Sequence, residues 1–122
     1  MKIVFFGTPE FSVTILEGLI KHNLKPLLVI TSPDKPVGRN QVLTPPAVKV
    51  VAEKHSLTVL QPQDLTLPDL QRVLQNAAPD LIVVAAYGPP FLGPELLKLP
   101  RFGCLNLHPS LLPKYRGASP IP

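Results

Sequence analysis

Apolar and polar positions follow two alternating rhythms along the chain. Short, continuous apolar runs occupy residues 2–6, 27–31, 58–60, 81–86 and 104–107. Runs this short, rich in Ile, Val, Leu and Phe, suit strands buried on both faces. Between them, apolar residues recur at helical spacing. Phe11, Ile15, Leu16, Leu19 and Ile20 predict a helix over residues 9–21, a second is predicted over 47–54, and Leu70, Val73, Leu74 and Ala77 mark a third. Strand alternating with helix predicts an α/β fold, a doubly wound (Rossmann-like) parallel sheet with right-handed crossovers. Ligands of such sheets bind beyond the carboxyl ends of the strands, where the strand order reverses. Three loops would meet on that edge, at residues 7–11, 87–94 and 108–117, although the pattern leaves the order of strands open.

The first of these loops carries its own turn chemistry. Gly7-Thr8-Pro9-Glu10 supplies a turn, a hydroxyl for capping, a proline at the first helical position and an acid in the first turn. A strand running into a helix amino terminus also favours anions. A dinucleotide fingerprint, however, needs further glycines and an acidic residue closing the second strand, and this chain has neither at those places. The segment reads as a well-capped turn, which disfavours a nicotinamide-dependent oxidoreductase.

Composition narrows the class. The 122 residues are one domain's worth of chain, and with 45% hydrophobic and 16% charged residues that chain is globular. No apolar stretch is long enough to span a bilayer, and Glu10 interrupts the first run before it could form a signal peptide. The single cysteine, Cys104, excludes an internal disulfide and fits a reducing compartment, so the expected location is the cytoplasm, with no membrane partner. A net charge of +4 favours an anionic partner, either nucleic acid or a phosphorylated or carboxylated small molecule, although the basic residues form no block. Most of the 17 prolines cluster at 33–46, 89–100 and 109–122, between the apolar runs, where they punctuate an ordered chain.

The candidate chemistry sits at the last strand. Asn106 and His108 are two residues apart, so on a strand their side chains point to the same side, at the ligand edge. An amide beside an imidazole can donate two hydrogen bonds to one oxygen as it becomes negative, and the imidazole can relay a proton near neutral pH. The pair therefore suits acyl transfer through a tetrahedral intermediate without a covalent nucleophile. Taken alone, an Asn-x-His reads more readily as a turn-capping amide beside a packed histidine. Context decides otherwise.

The run 105–113, Leu-Asn-Leu-His-Pro-Ser-Leu-Leu-Pro, followed by Tyr115-Arg116-Gly117, closely resembles the signature of the formyltransferase family that uses 10-formyltetrahydrofolate. Three further stretches resemble the branch of that family that acts on methionyl-tRNA. They are Gly7 to Phe11, Pro33 to Arg39 with Leu43-Thr44-Pro45-Pro46, and Arg116 to Ile121. Together these motifs run the length of the chain. The branch acting on glycinamide ribonucleotide shares the His-Pro-Ser-Leu-Leu-Pro stretch but would be expected to show a Gly-rich phosphate loop near the first turn.

The resemblance implies an enzyme that transfers a formyl group from 10-formyltetrahydrofolate to the amino group of methionyl-tRNA in translation initiation, with no metal. Asn106 and His108 match the family's catalytic pair. Ser110, Leu111, Leu112 and Pro113 match the stretch lining the tetrahydrofolate site, and Tyr87 and Gly88 begin the loop that resembles its pterin-side wall. Tyr87 is as easily a packing residue, and Pro89-Pro90-Phe91-Leu92 departs from the usual aliphatic pattern. The loop from Pro33 to Pro46 resembles the insertion that reaches the tRNA acceptor end, where Arg39 matches the key basic residue and Lys35 sits nearby. Asn40-Gln41-Val42 there replaces what is commonly a glycine and two lysines, which weakens the salt-dependent part of RNA binding. Without the resemblance, Arg39 would read as a solvated loop residue.

One family feature is missing from the sequence. The third catalytic residue, an aspartate downstream of the histidine, has no counterpart: residues 109–122 contain no Asp or Glu, and Asp80 opens the fourth strand at its amino end, the wrong edge. The expectation is that residues 1–122 are the amino-terminal portion of the catalytic domain, an incomplete formyltransferase domain without the family's carboxyl-terminal β-barrel that helps grip tRNA. The alternatives are an inactive folate-binding or interaction fragment, or a formyltransferase acting on another amine such as glycinamide ribonucleotide.

Overall fold

The segment Ile3–Gly7 (β1) is buried at every position, as only a strand covered on both faces can be. In the computed structural model, which describes residues 1–63, 68–86 and 98–107, it is the middle strand of a five-stranded sheet. A helix, Glu10–Lys21 (α1), follows, and then the strand Leu28–Ile30 (β2). Next come two short strands, Lys35–Val37 (β3) and Val42–Thr44 (β4), the helix Ala47–Lys54 (α2) and the strand Val59–Leu60 (β5). The helix Pro68–Ala77 (α3), the strand Leu81–Ala85 (β6) and the strand Cys104–Leu107 (β7) complete the described elements.

The sheet runs β5-β2-β1-β6-β7 with every pair parallel, so the strand order reverses between β1 and β6. Side-chain alternation divides the core into two layers. Val4, Phe6, Leu28, Ile30 and Ile82 face α3, where Leu70 and Leu74 close over them. Ile3, Phe5, Val29, Val83 and Ala85 face the other way, covered by Leu16 of α1 and by Val48 and Ala52 of α2. The doubly wound parallel sheet expected from the sequence is present, and its apolar runs match the strands to within a residue or two at either end. At the amino end, Asp80 is held by the Lys2 backbone in both directions, with its N–H donating to the Lys2 carbonyl and its carboxylate accepting from the Lys2 N–H, each at 2.8 Å. Asp80 therefore lies on the edge away from the candidate site.

Two local expectations need correction. The helix begins at Glu10, with Pro9 extended at the N-cap position and no side-chain cap. Thr8 does not cap it, because its hydroxyl accepts from the Thr31 hydroxyl and the Ser32 N–H, both at 3.3 Å, across to the end of β2. The Pro-rich stretch read as a loop instead holds an antiparallel hairpin, β3 with β4, in which Lys35 pairs with Thr44 and Val37 with Val42. Its turn is made by Gly38 and Gln41, both with positive φ, and the Gln41 N–H donates to the Gly38 carbonyl at 3.2 Å.

Candidate functional site

The switch point between β1 and β6 sets the geometry of the edge. Gly7, Ala85 and Leu107 stand side by side in register at the carboxyl ends of β1, β6 and β7. The crossing into α1 is tight there, because a Cβ on Gly7 would lie 2.6 Å from the Ser12 Cβ and 2.8 Å from the Phe5 ring. Ser12 is fully buried on an otherwise apolar helix face. Its hydroxyl donates to the Ala85 carbonyl and accepts from the Thr8 N–H at 3.1 Å, so one side chain joins the first turn to the end of β6. Ala86, just past the end of β6, has a left-handed backbone with φ +58. In the sequence, Ser12 is marked only as a lone serine in the apolar stripe of an amphipathic helix.

One step before that row, Asn106 on β7 pairs with Val84 on β6 and is exposed. Ladder alternation puts it on the α3 side of the sheet, in line with Val84 and Phe6. It therefore stands at the carboxyl-end edge of the sheet, one strand beyond the switch point. His108, Ser110, Leu111, Leu112, Pro113, Tyr87 and Gly88 lie outside the described residues. Among the described residues, no group of three or more His, Cys, Asp or Glu side chains could hold a metal ion.

On the same edge, beyond β2, the hairpin projects with Lys35 on its first strand and Arg39 in its turn, both exposed. Val37, Val42 and Leu43 on it are also exposed, Leu43 the most at 68%. A polar cluster absent from the sequence reading lies at its base. Asp34 Oδ1 accepts from the Gln61 amide at 2.6 Å and from the Lys49 ammonium at 3.5 Å, and the Gln61 amide also donates to the Ser32 carbonyl at 3.1 Å. The Gln61 hydrogen bond above all holds the Asp34 carboxyl below its ordinary range; partial burial works against this and Lys49 adds to it. These three residues are far apart in sequence and only the sheet order brings them together, so no local pattern announces them.

Chemically, the edge offers an exposed amide at a strand terminus and, some way along, a cationic hairpin. The Cys104 thiol, partly buried on β7, is pushed up by desolvation and so is a poor nucleophile. No helix of the described residues is long and apolar enough to cross a membrane.

The family model described as formyl transferase matches residues 1–122. The chain is 53% identical over 121 residues to a methionyl-tRNA formyltransferase of Thermotoga maritima, which covers 99% of this chain and 38% of that protein. It is 54% identical over 122 residues to one of Halalkalibacterium halodurans, again 99% of this chain and 38% of the relative. An Enterococcus faecalis protein of the same name is 53% identical over 121 residues, 98% of this chain and 38% of its own length. The chain thus spans about 38% of the length of these curated relatives.

Proposed function

The chain belongs to the formyl transferase family, and from that we propose that it forms the amino-terminal part of a catalytic domain that formylates the amino group of methionyl-tRNA. The observation that carries this reading is the exposed Asn106 amide at the carboxyl end of β7, beside the switch point of a doubly wound sheet. The names of the relatives supply the acceptor, and the family supplies a formyl donor, read here as 10-formyltetrahydrofolate. The donor would lie against Ser110 to Pro113 and the loop beginning at Tyr87 and Gly88, and the reaction would take place in the cytoplasm.

In this mechanism the lone pair of the methionyl amine attacks the formyl carbon of the donor, and the carbonyl electrons move onto its oxygen. The Asn106 amide and the His108 imidazole donate hydrogen bonds to that oxyanion. A proton passes from the attacking nitrogen through His108. The bond from the formyl carbon to the folate nitrogen then breaks, and that nitrogen takes up a proton. The downstream aspartate expected to orient His108 would come from the remaining length seen in the relatives. Lys35 and Arg39 would meet the phosphates of the acceptor end, where the guanidinium fork gives Arg39 bidentate geometry.

The reading is tested by formylation of methionyl-tRNA with the full-length protein. Asn106→Ala is expected to lower kcat by about 10²–10³, the loss typical of one oxyanion donor. Activity equal to that of the parent would remove Asn106 from the mechanism.

A further inference from the structure

The hairpin that carries Lys35 and Arg39 is exposed at all six of its strand positions, so it has no packed face to hold it in place. A two-stranded ribbon without a core is marginal in isolation, and its direction must be set at its base. The base is where the structure concentrates its polar bonds. Asp34 stands immediately before β3 and Lys49 in the first turn of α2, so the two legs of the hairpin meet through one carboxylate. Gln61, just past β5, binds that carboxylate and the Ser32 carbonyl together, tying the first leg to the edge of the sheet. Ser32 in turn donates to Thr8 in the first turn. Pro33, Pro45 and Pro46 flank the clasp, and their fixed φ angles leave the legs little freedom outside it.

We propose that Asp34, Gln61 and Lys49 form a clasp that aims the basic hairpin at its nucleic-acid partner, so that Asp34 and Gln61 are positioning residues for a partner that neither touches. This rests on the reading of Lys35 and Arg39 as RNA contacts. The distances rank the members of the clasp. The Gln61 bond at 2.6 Å is short and charge-assisted, whereas the Lys49 pair at 3.5 Å is long and partly solvated, a geometry that contributes little. Gln61 therefore does most of the holding, and Lys49 trims the charge.

The test uses the full-length protein, with formylation kinetics and hydrogen exchange measured on the same variants. Asp34→Ala and Gln61→Ala are expected to raise the KM for methionyl-tRNA about tenfold, a change worth 1.4 kcal/mol of binding, while kcat stays within about twofold. Amide exchange over residues 35–44 should accelerate with that over β1 and β6 unchanged. Lys49→Met should change both far less, and Asp34→Asn, which can still accept from Gln61, should recover most of the loss. An unchanged KM overturns the proposal, as does a parallel fall of kcat with exchange rising throughout the sheet, which would mark a merely structural role. If the parent protein formylates no methionyl-tRNA, the functional reading fails, and the clasp is then decided by exchange alone: unaltered protection of residues 35–44 in Asp34→Ala would sink it.

Discussion

At the scale of single residues, the switch point depends on what Gly7 lacks. The first turn of α1 comes so close that a Cβ there would overlap both Ser12 and the Phe5 ring, and all three positions are buried. Neither neighbour can retreat freely, since the Ser12 hydroxyl is bonded to Thr8 and Ala85 and Phe5 is packed among Leu16, Val29 and Val83. Gly7→Ala should therefore cost about 1–3 kcal/mol through overpacking, read as a lower midpoint in denaturant unfolding of the full-length protein with an unchanged slope. An effect near zero would show that the turn can shift. The sequence pattern put Gly7 in a turn, whereas it is the last residue of β1, and glycine is needed there for close approach between a helix and a strand, which is a tertiary fact. Asn106, by contrast, could be placed from sequence alone, since a strand's alternation and its carboxyl end are both local properties.

At the scale of elements, each of the three helices α1 to α3 among the described residues is followed by a left-handed residue that is not glycine: Asn23 after α1, Ser56 after α2 and Ala78 after α3. The first two complete the same closing pattern, with Leu24 N–H donating to the Leu19 carbonyl at 2.8 Å and Leu57 N–H to the Ala52 carbonyl at 2.9 Å. Asparagine tolerates this conformation, but alanine brings its Cβ against the carbonyl at a cost of about 1–2 kcal/mol. Pro79 follows Ala78 and crowds it further. Ala78→Gly should relieve that strain, less about 0.4–1 kcal/mol for the extra freedom of the unfolded chain, giving a net gain of a few tenths to about 1 kcal/mol. The check is a Tm above that of the parent; a lower Tm would show that Ala78 is not strained. Helices of this length and amphipathicity were legible because the apolar spacing is written along the chain. The hairpin was not: its strands are three residues each, exposed on both faces and interrupted by Pro36, so they carry no alternation to read. Only the turn and the pairing partner define them, and both are visible only once the chain has folded.

For the whole molecule, the order β5-β2-β1-β6-β7 decides which distant residues share an edge. Sequence could establish that the sheet is parallel, because buried continuous strands alternate with helices, but strand order follows from how the crossovers pack, which local patterns do not encode. That order places Asn106 on one side of the switch point, on β7, and the hairpin on the other, after β2. On the proposed reading, chemistry and grip would fall on opposite arms of the sheet. Arg39→Ala should therefore raise the KM for methionyl-tRNA and flatten its dependence on salt by about one phosphate's worth, with kcat little changed. Asn106→Ala should act on kcat. Because the two residues share no partner, one in the hairpin turn and the other on β7, their free-energy effects should add, and the double variant's loss in kcat/KM should equal the product of the single losses within about a factor of two. A loss well short of that product would mean that the hairpin and the strand end bear on the same step, and that the sheet does not insulate grip from chemistry.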